Sequence, residues 1–396
     1  MPPRKKREDA TDSAVKPVED FTAELISSLN KDMGQRVAFN LSSDEAPTVV
    51  KQWVSTGSRQ LDYAIAGRSG GGLPVGRIVE IFGPPSIGKS HIAYASAQNI
   101  QNMGGLVVYI DTENATSIEK LKMMGIDVSK RFVYCDTHCT EEVFTIAEKT
   151  VLKAKDLAST SKAPILVVWD SVAATSPKAE LEGDYDSSTI GLQARTISKG
   201  MRKITGIIGD TNALMFCCNQ IRQKIGVMYG DPNVTPGGMA IPFHASVRIS
   251  LTGGGHLKHP KTGEIYGIEV NAFIKKNKIS APYRKVSFEI HFGKGIVEHE
   301  QIFDVLRQHG PVKSKDYEIR IEGEQAWKQL LVTSNQTGEH LVEKKFHKAD
   351  FDTIIKDPEY SLFIDEAIDA AYANSFVDPS NENAGSVDDE KDPENE

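Results

Sequence analysis

The chain has 396 residues, 39% hydrophobic and 25% charged, which is the composition of a globular protein with a real core and not of a disordered or fibrous one. Every apolar stretch is far shorter than the roughly 18 to 20 residues a spanning helix needs, and the basic Arg4 to Arg7 lead into Glu8, Asp9 and Asp12 where a secretory signal would turn apolar. The formal charge of −8 argues at first against nucleic acid, but residues 378–396 carry eight acids and one base, so the remainder is close to neutral and has room for a basic groove.

Residues 1–19 are polar, charged and proline-bearing and are expected to be a disordered basic arm. Asp20, read as a helix N-cap, precedes a helical stripe of Phe21, Leu25 and Leu29. So short an amphipathic helix needs a surface to pack on, the body or another subunit, so residues 20–48 are expected to be an oligomerisation arm.

From residue 78 short, largely apolar runs alternate with helical stretches, the marking of strands buried on both faces of a parallel sheet. The runs are Ile78 to Phe82, Leu106 to Ile110, Ile165 to Trp169 and Ala213 to Cys218. Directly after the first comes Gly83-Pro84-Pro85-Ser86-Ile87-Gly88-Lys89-Ser90, which fits G-x-x-x-x-G-K-[ST]. Glycines there let successive N–H groups point at phosphate oxygens, and a following helix adds positive potential. Lys89 would bridge the β- and γ-phosphates of ATP, and the Ser90 hydroxyl would hold Mg²⁺.

The second run ends in Asp111-Thr112-Glu113, placing Glu113 at the same sheet edge as a candidate to orient and deprotonate water. Cys135, His138 and Cys139 have metal-ligand character but lack a fourth partner nearby; with Cys217 and Cys218 inside an apolar run, the four cysteines are read as thiols in a reducing cytoplasm. Thr140 caps a helix with Val143, Ile146, Ala147, Val151 and Ala154 on one face. The third run ends in Asp170, the Walker B position for a carboxylate behind magnesium.

The segment 191–209 is expected to be helical, with Arg195, Ser198 and Arg202 on one face and Lys203 beside them. Residues 221–238 form a glycine-punctuated loop in which Arg222, Lys224, Ile225, Val227, Met228 and Tyr229 alternate basic and apolar character between Gly226, Gly230, Gly237 and Gly238. Apolar side chains on a loop are costly unless they meet a partner, and single-stranded bases offer flat faces while basic groups take phosphates. After residue 244 the period becomes two, through Val247, Ile249 and Leu251, then Ile268, Val270, Ala272 and Ile274, then Val286, Phe288, Ile290 and Phe292, as in antiparallel strands added to one sheet edge. A helix with Ile302, Val305 and Leu306 inward stops at Gly310-Pro311, and residues 311–375 read as a small α/β module. The acidic tail is expected either to solubilise or to compete with phosphate for the groove.

At this point the sequence resembles the RecA-type homologous-recombination ATPases of bacteria and phage. The resemblance lies in Val54 to Ser58 with Leu61-Asp62, in Gly72 to Ile81, in the phosphate loop, and in Asp170-Ser171-Val172-Ala173-Ala174 followed by Pro177 to Gly183. It continues through Asn219-Gln220-Ile221-Arg222, Lys224 to Gly230, Gly237-Gly238, Ala245 to Arg248 and Lys276 to Pro282, so that it spans about residues 20 to 300. It implies that Glu113 is the catalytic carboxylate and Gln220 the γ-phosphate sensor. It also implies that Lys276 and Lys278 reach a neighbouring subunit's site in the manner of an arginine finger in trans, with ATP between subunits. The DNA loops would be Glu182 to Thr189 with Ile190 beside it, and 221–238; Ser198, Arg202 and the Gly237-Gly238 backbone would touch phosphate. Where the family has an Asp and a Tyr around adenine this chain has Ser117 and Lys120, Pro242 stands for a basic residue, and Met239 for an Asn beside DNA.

The fold class implied is α/β: a RecA-like P-loop ATPase core with a mostly parallel sheet extended by antiparallel strands, an N-terminal helical arm and a small C-terminal α/β module. The expected boundaries are 1–19, 20–48, 49–298 for the core, 299–376 for the module and 377–396 for a disordered acidic tail. The function implied is an ATP- and Mg²⁺-dependent recombinase that forms a helical filament on single-stranded DNA and pairs it with homologous duplex. A hexameric helicase or branch-migration ATPase, or a mediator that binds ATP without hydrolysing it, are the alternatives; the zinc module or different lysine–arginine motif common in the former is not visible, and Lys89 with Glu113 argues against the latter.

Overall fold

The computed structural model describes residues 18–43, 46–157, 163–184, 191–223, 233–308 and 310–377. It divides into two compact units, Met1–Lys51 and Gln52–Glu396.

In the first unit the helix Val18–Met33 starts two residues before Asp20, which therefore lies inside the first turn and not at the cap. Phe21, Leu25, Leu29 and Met33 are exposed along it, the expected stripe. Asn30 fastens the following chain: its side chain accepts from Val37 N at 2.7 Å and Ala38 N at 2.8 Å and donates to Ala38 O at 3.0 Å.

The second unit is built on a nine-stranded sheet. From one edge the strands are Gly295–Val297, Lys285–His291, Ile265–Asn277, Val247–Lys258, Ile78–Gly83, Ala213–Gln220, Ile165–Asp170, Leu106–Asp111 and Phe132–Asp136. The strands from Val247–Lys258 to Phe132–Asp136 are parallel, and the other three continue the sheet antiparallel. The apolar runs, the first of them broken by Glu80, are explained by burial on both faces. Leu166 and Val168 enter one core cluster with Val107, Tyr109, Leu214 and Phe216, while Val167 and Trp169 enter another with Val108, Ile110, Met215 and the helix residues Val143, Ile197 and Met201. The period-two strands bury one face only, through Val247, Ile249, Leu251, Val270, Ala272, Ile274, Val286, Phe288 and Ile290. Phe292 departs from that pattern: the strand ends at His291 and the ring is exposed. Cys217 and Cys218 are fully buried, one in each cluster.

Two expectations need adjustment. The edge strand Phe132–Asp136, carried by the short apolar run Phe132 to Cys135, was not among the expected strands; as an edge it leaves Val133 and Tyr134 exposed. In the helix His299–Gln308 the innermost residues are Ile302, Phe303 and Leu306, with Val305 only partly covered. Beyond it, the strands Val312–Lys313, Tyr317–Glu322, Trp327–Ser334 and His340–His347 form an antiparallel sheet with its own core, closed by the helix Pro358–Val377.

Trp169 carries the inner face of the Walker B strand. It is fully buried, edge-on to Phe144 at 5.4 Å. Trp169→Ala should destabilise by about 3–5 kcal/mol, read as a lower denaturant midpoint.

The core and the C-terminal helix Pro358–Val377 meet at Arg59. Its backbone N–H and side chain engage Glu298, and its guanidinium engages Asp365. Burial pushes the Glu298 carboxyl up to about 7, with Arg59 only partly offsetting it. A carboxyl whose folded pKa lies above its unfolded value contributes stability that is fully present below the unfolded value and is lost as pH rises through about 7. The melting temperature of the wild type should therefore fall more between pH 5 and pH 8 than that of Glu298→Gln, by a few degrees. Parallel curves would remove Glu298 from that account.

Candidate ATP and DNA sites

The parallel register brings the C-terminal ends of four strands into line: Gly83 pairs with Gln220, and Asp170 with Asp111. A cleft of about 560 Å³ opens there, lined among others by Ser86, Lys89, Ser90, Glu113, Asp170 and Gln220. Gly88, with φ 98, caps the helix Lys89–Asn102, and a Cβ on it would come within 2.3 Å of Ile290 Cδ1; a Cβ on Gly83 would meet Leu251 O at 2.5 Å. Gly83 is thus required by the close approach of the Leu251 backbone, and Gly88 by its left-handed φ. Lys89 Nζ donates to Gly83 O at 3.0 Å and Pro84 O at 2.6 Å. Burial lowers its pKa, opposed by Cys218, Asp170 and Glu113.

Ser90 Oγ donates to Asp170 Oδ2 at 2.7 Å, joining the end of the phosphate loop to the Walker B strand. Burial raises the Asp170 pKa, helped by Glu113 and Asp111 and opposed by hydrogen bonds from Tyr109 and Ser90. Glu113 Oε1 accepts from Gln220 Nε2 at 2.8 Å and from Ser171 Oγ. Its loop is shaped by Asp111, whose carboxylate accepts from Glu113 N at 3.0 Å, Thr116 N at 3.0 Å and Tyr134 OH at 3.2 Å. Burial works against the Asp111 charge, yet these bonds hold its pKa below the usual range. Asp170, Ser171, Glu113 and Gln220 therefore run without a break from the phosphate loop to the segment that begins the 221–238 loop.

At the far end of the cleft lie His91, Tyr94, Lys120, Met123, Met124, Phe292 and Gly293. Burial and then Lys120 lower the His91 pKa. Ser117 accepts from Lys120 N at 3.2 Å as the N-cap of the helix Ile118–Met123, so it serves the helix. Sequence reading singled out Lys120 here but not the methionines or the role of Phe292. It placed Ser171 in a family motif without foreseeing its bond to Glu113, and it missed Tyr109, hidden inside an apolar run.

Lys276 and Lys278 stand apart from this cleft. Lys276 Nζ donates to Pro242 O at 2.6 Å and Phe243 O at 3.0 Å, and Lys278 Nζ to Phe243 O at 3.4 Å, so both sit at the end of the helix Ala240–His244. Burial, then Lys278 and Arg248, push Lys276 down to about 8. Beside them Glu80, fully buried, pairs with Arg248 at 2.6 Å and accepts from Asn219 Nδ2 at 2.9 Å, and Asn219 also donates to Pro236 O at 3.1 Å.

On the helix Leu192–Gly209, Arg202 Nη1 donates to Ser198 Oγ at 3.2 Å, and Arg195 and Arg202 are exposed. Lys203 is instead engaged by Glu148 at 2.7 Å, on the flank facing the helix Thr140–Leu157. Gly237 (φ 91) and Gly238 (φ 69) rest on this helix, since a Cβ on either would reach Ile197 or Ala194 within 3.0 Å. Ser198, Arg202, Met239, Phe243 and His244 line one shallow depression, and Arg202, Lys276 and Lys278 add to burial in lowering the His244 pKa. Arg222 is exposed, and where a loop was expected the strand Arg222–Gln223 pairs antiparallel with Asn233–Val234. Ile190, Lys224, Ile225, Met228 and Tyr229 lie outside the described residues.

Among the cysteines, Cys139 Sγ contacts Glu141 Oε2 at 3.4 Å, and His138 Nδ1 lies 2.9 Å from Thr112 O. Among the described residues no group of three or more His, Cys, Asp or Glu side chains is gathered for a metal, and no helix is long and apolar enough to cross a membrane.

Residues 21–297 match the family model of the RecA N-terminal domain. The chain is 38% identical over 288 residues to Protein RecA of Geobacter sulfurreducens, covering 72% of this chain and 80% of that protein. It is 37% identical over 300 residues to Protein RecA of Rippkaea orientalis, covering 76% and 81%. Protein RecA of Acinetobacter baylyi is 38% identical over 288 residues, covering 73% and 78%.

Proposed function

The chain belongs to the RecA family, and on that footing we propose how this ATP-dependent DNA recombinase divides the work among its residues. It is a DNA-dependent ATPase of recombination and repair, with an α/β core of the RecA kind and nucleotide binding, DNA binding and filament formation as family properties. The finer reading is that the nucleotide is ATP with Mg²⁺ and that the filament is a helical homo-oligomer on single-stranded DNA. That filament pairs its strand with homologous duplex, in the cytoplasm.

The donor set suits that nucleotide. Backbone N–H groups of Ser86, Ile87 and Gly88 and the start of the helix Lys89–Asn102 favour phosphate oxygens, and the Ser90 hydroxyl with the Asp170 carboxylate supplies the hard oxygen atoms Mg²⁺ prefers. Bound there, Mg²⁺ would neutralise charge developing on the phosphates. Glu113 holds a water and takes its proton at the carboxylate, while Ser171 and Gln220 fix the orientation of that carboxylate. Gln220 also opens into the 221–238 loop, so a change at the nucleotide reaches DNA through one amide. Lys276 and Lys278, outside their own cleft, serve the site of a neighbouring subunit. Ser198, Arg195, Arg202, Arg222 and the Gly237-Gly238 backbone take DNA phosphates, and Lys224, Ile225, Met228, Tyr229 and Ile190 meet bases or backbone from the loops.

The observation carrying this reading is the bond between Gln220 and Glu113, because it ties the hydrolytic carboxylate to the DNA loop. Electron microscopy with single-stranded DNA and ATP tests it at the level of assembly. Helical filaments are expected; closed rings would favour a helicase, and no assembly would overturn the recombinase reading.

A further inference from the structure

Asp170 Oδ2 accepts two hydrogen bonds, from Ser90 Oγ at 2.7 Å and from Tyr109 OH at 2.6 Å. Tyr109 is fully buried in the adjacent strand Leu106–Asp111, its ring 5.6 Å from that of Tyr94 and stacked at 6.3 Å with Phe132. The rings fix where the hydroxyl sits. A phenylalanine would fill the same space, whereas burying a phenol hydroxyl is costly unless it is bonded. Here the bond goes to the carboxylate next to the phosphate loop. Two donors on one carboxylate oxygen oppose its rotation, and residues that fix a ligating or supporting carboxylate typically govern metal affinity strongly.

We propose that Tyr109 is a positioning residue for the divalent-cation subsite, its hydroxyl fixing Asp170 in the orientation in which that carboxylate and Ser90 hold Mg²⁺ with the nucleotide. This rests on the reading of Ser90 and Asp170 as the Mg²⁺ pair. The consequence is specific: losing the hydroxyl weakens the contribution of the cation to nucleotide affinity and leaves cation-free nucleotide binding as it was.

The test is equilibrium binding of a fluorescent ADP analogue to the full chain, in EDTA and in Mg²⁺, for wild type, Tyr109→Phe, Asp170→Asn and the double variant. The expected result is that Mg²⁺ tightens binding to wild type, that Tyr109→Phe cuts this gain by about tenfold with unchanged affinity in EDTA, and that Tyr109→Phe adds nothing in the Asp170→Asn background. A full Mg²⁺ gain in Tyr109→Phe overturns the proposal, as does an equal loss with and without Mg²⁺, which a merely structural role would give. If wild type itself shows no gain with Mg²⁺, the assignment of Ser90 and Asp170 falls, and the role of Tyr109 with it. Should the Phe variant not fold, 3-fluorotyrosine at 109 keeps the shape with a stronger donor; a Mg²⁺ gain that does not change overturns the proposal.

Discussion

Glu113→Gln is expected to leave nucleotide affinity near that of wild type while lowering DNA-stimulated ATP turnover by about 10² to 10⁴, the loss typical of a general base. The substitution isolates the proton. Gln keeps the length of the side chain and an oxygen able to accept from Ser171 and Gln220, so the loop geometry should survive. What it cannot do is accept a proton from water. Steady-state turnover beside nucleotide binding reads the two quantities separately, and near-normal turnover would move the catalytic role to another group.

The second large effect concerns Lys276 and Lys278. Replacing both by Ala should lower DNA-stimulated turnover by on the order of 10³, the scale of a cationic finger acting on a transferring phosphoryl group. In the free chain both ammonium groups are occupied by the carbonyls of Pro242 and Phe243 and neither lines the cleft that holds Lys89 and Glu113. On the proposed reading they act on a different copy. The proof is complementation: mixing the double Ala variant with Glu113→Gln creates interfaces that join an intact Glu113 to intact lysines, and turnover should rise above that of either variant alone. No recovery on mixing would place the lysines in cis or outside catalysis.

How far the sequence alone reaches depends on how many constraints act on a residue. The phosphate loop was legible because its glycines, lysine and hydroxyl are each demanded by backbone shape or by phosphate, and Gly83 and Gly88 do meet neighbours too close for any Cβ. The central strands were legible because burial on both faces leaves their interiors mostly apolar; the exception, Glu80, is buried only as the partner of Arg248. Phe132–Asp136 was not, since an apolar run of only four residues, Phe132 to Cys135, does not by itself separate a strand from a helix segment. The start of the first helix was misplaced because an Asp caps a helix and also suits its first turn equally well, so composition cannot choose between Val18 and Asp20. Tyr109 escaped notice for a different reason. In a run of apolar residues a tyrosine reads as bulk, and only the fold brings its hydroxyl to Asp170. Phe292 shows the reverse: the alternation continued in sequence after the strand had ended, and the ring turned to the nucleotide cleft.

Strand exchange tests the central claim most directly. The protein, ATP and Mg²⁺ are incubated with circular single-stranded DNA and a homologous linear duplex, and joint molecules and nicked circles are followed by gel electrophoresis. The account predicts both products with homologous duplex, neither with a duplex of unrelated sequence, and neither without nucleotide. Unwinding that proceeds equally on homologous and unrelated duplex, or filaments that hydrolyse ATP without forming joints, would contradict it.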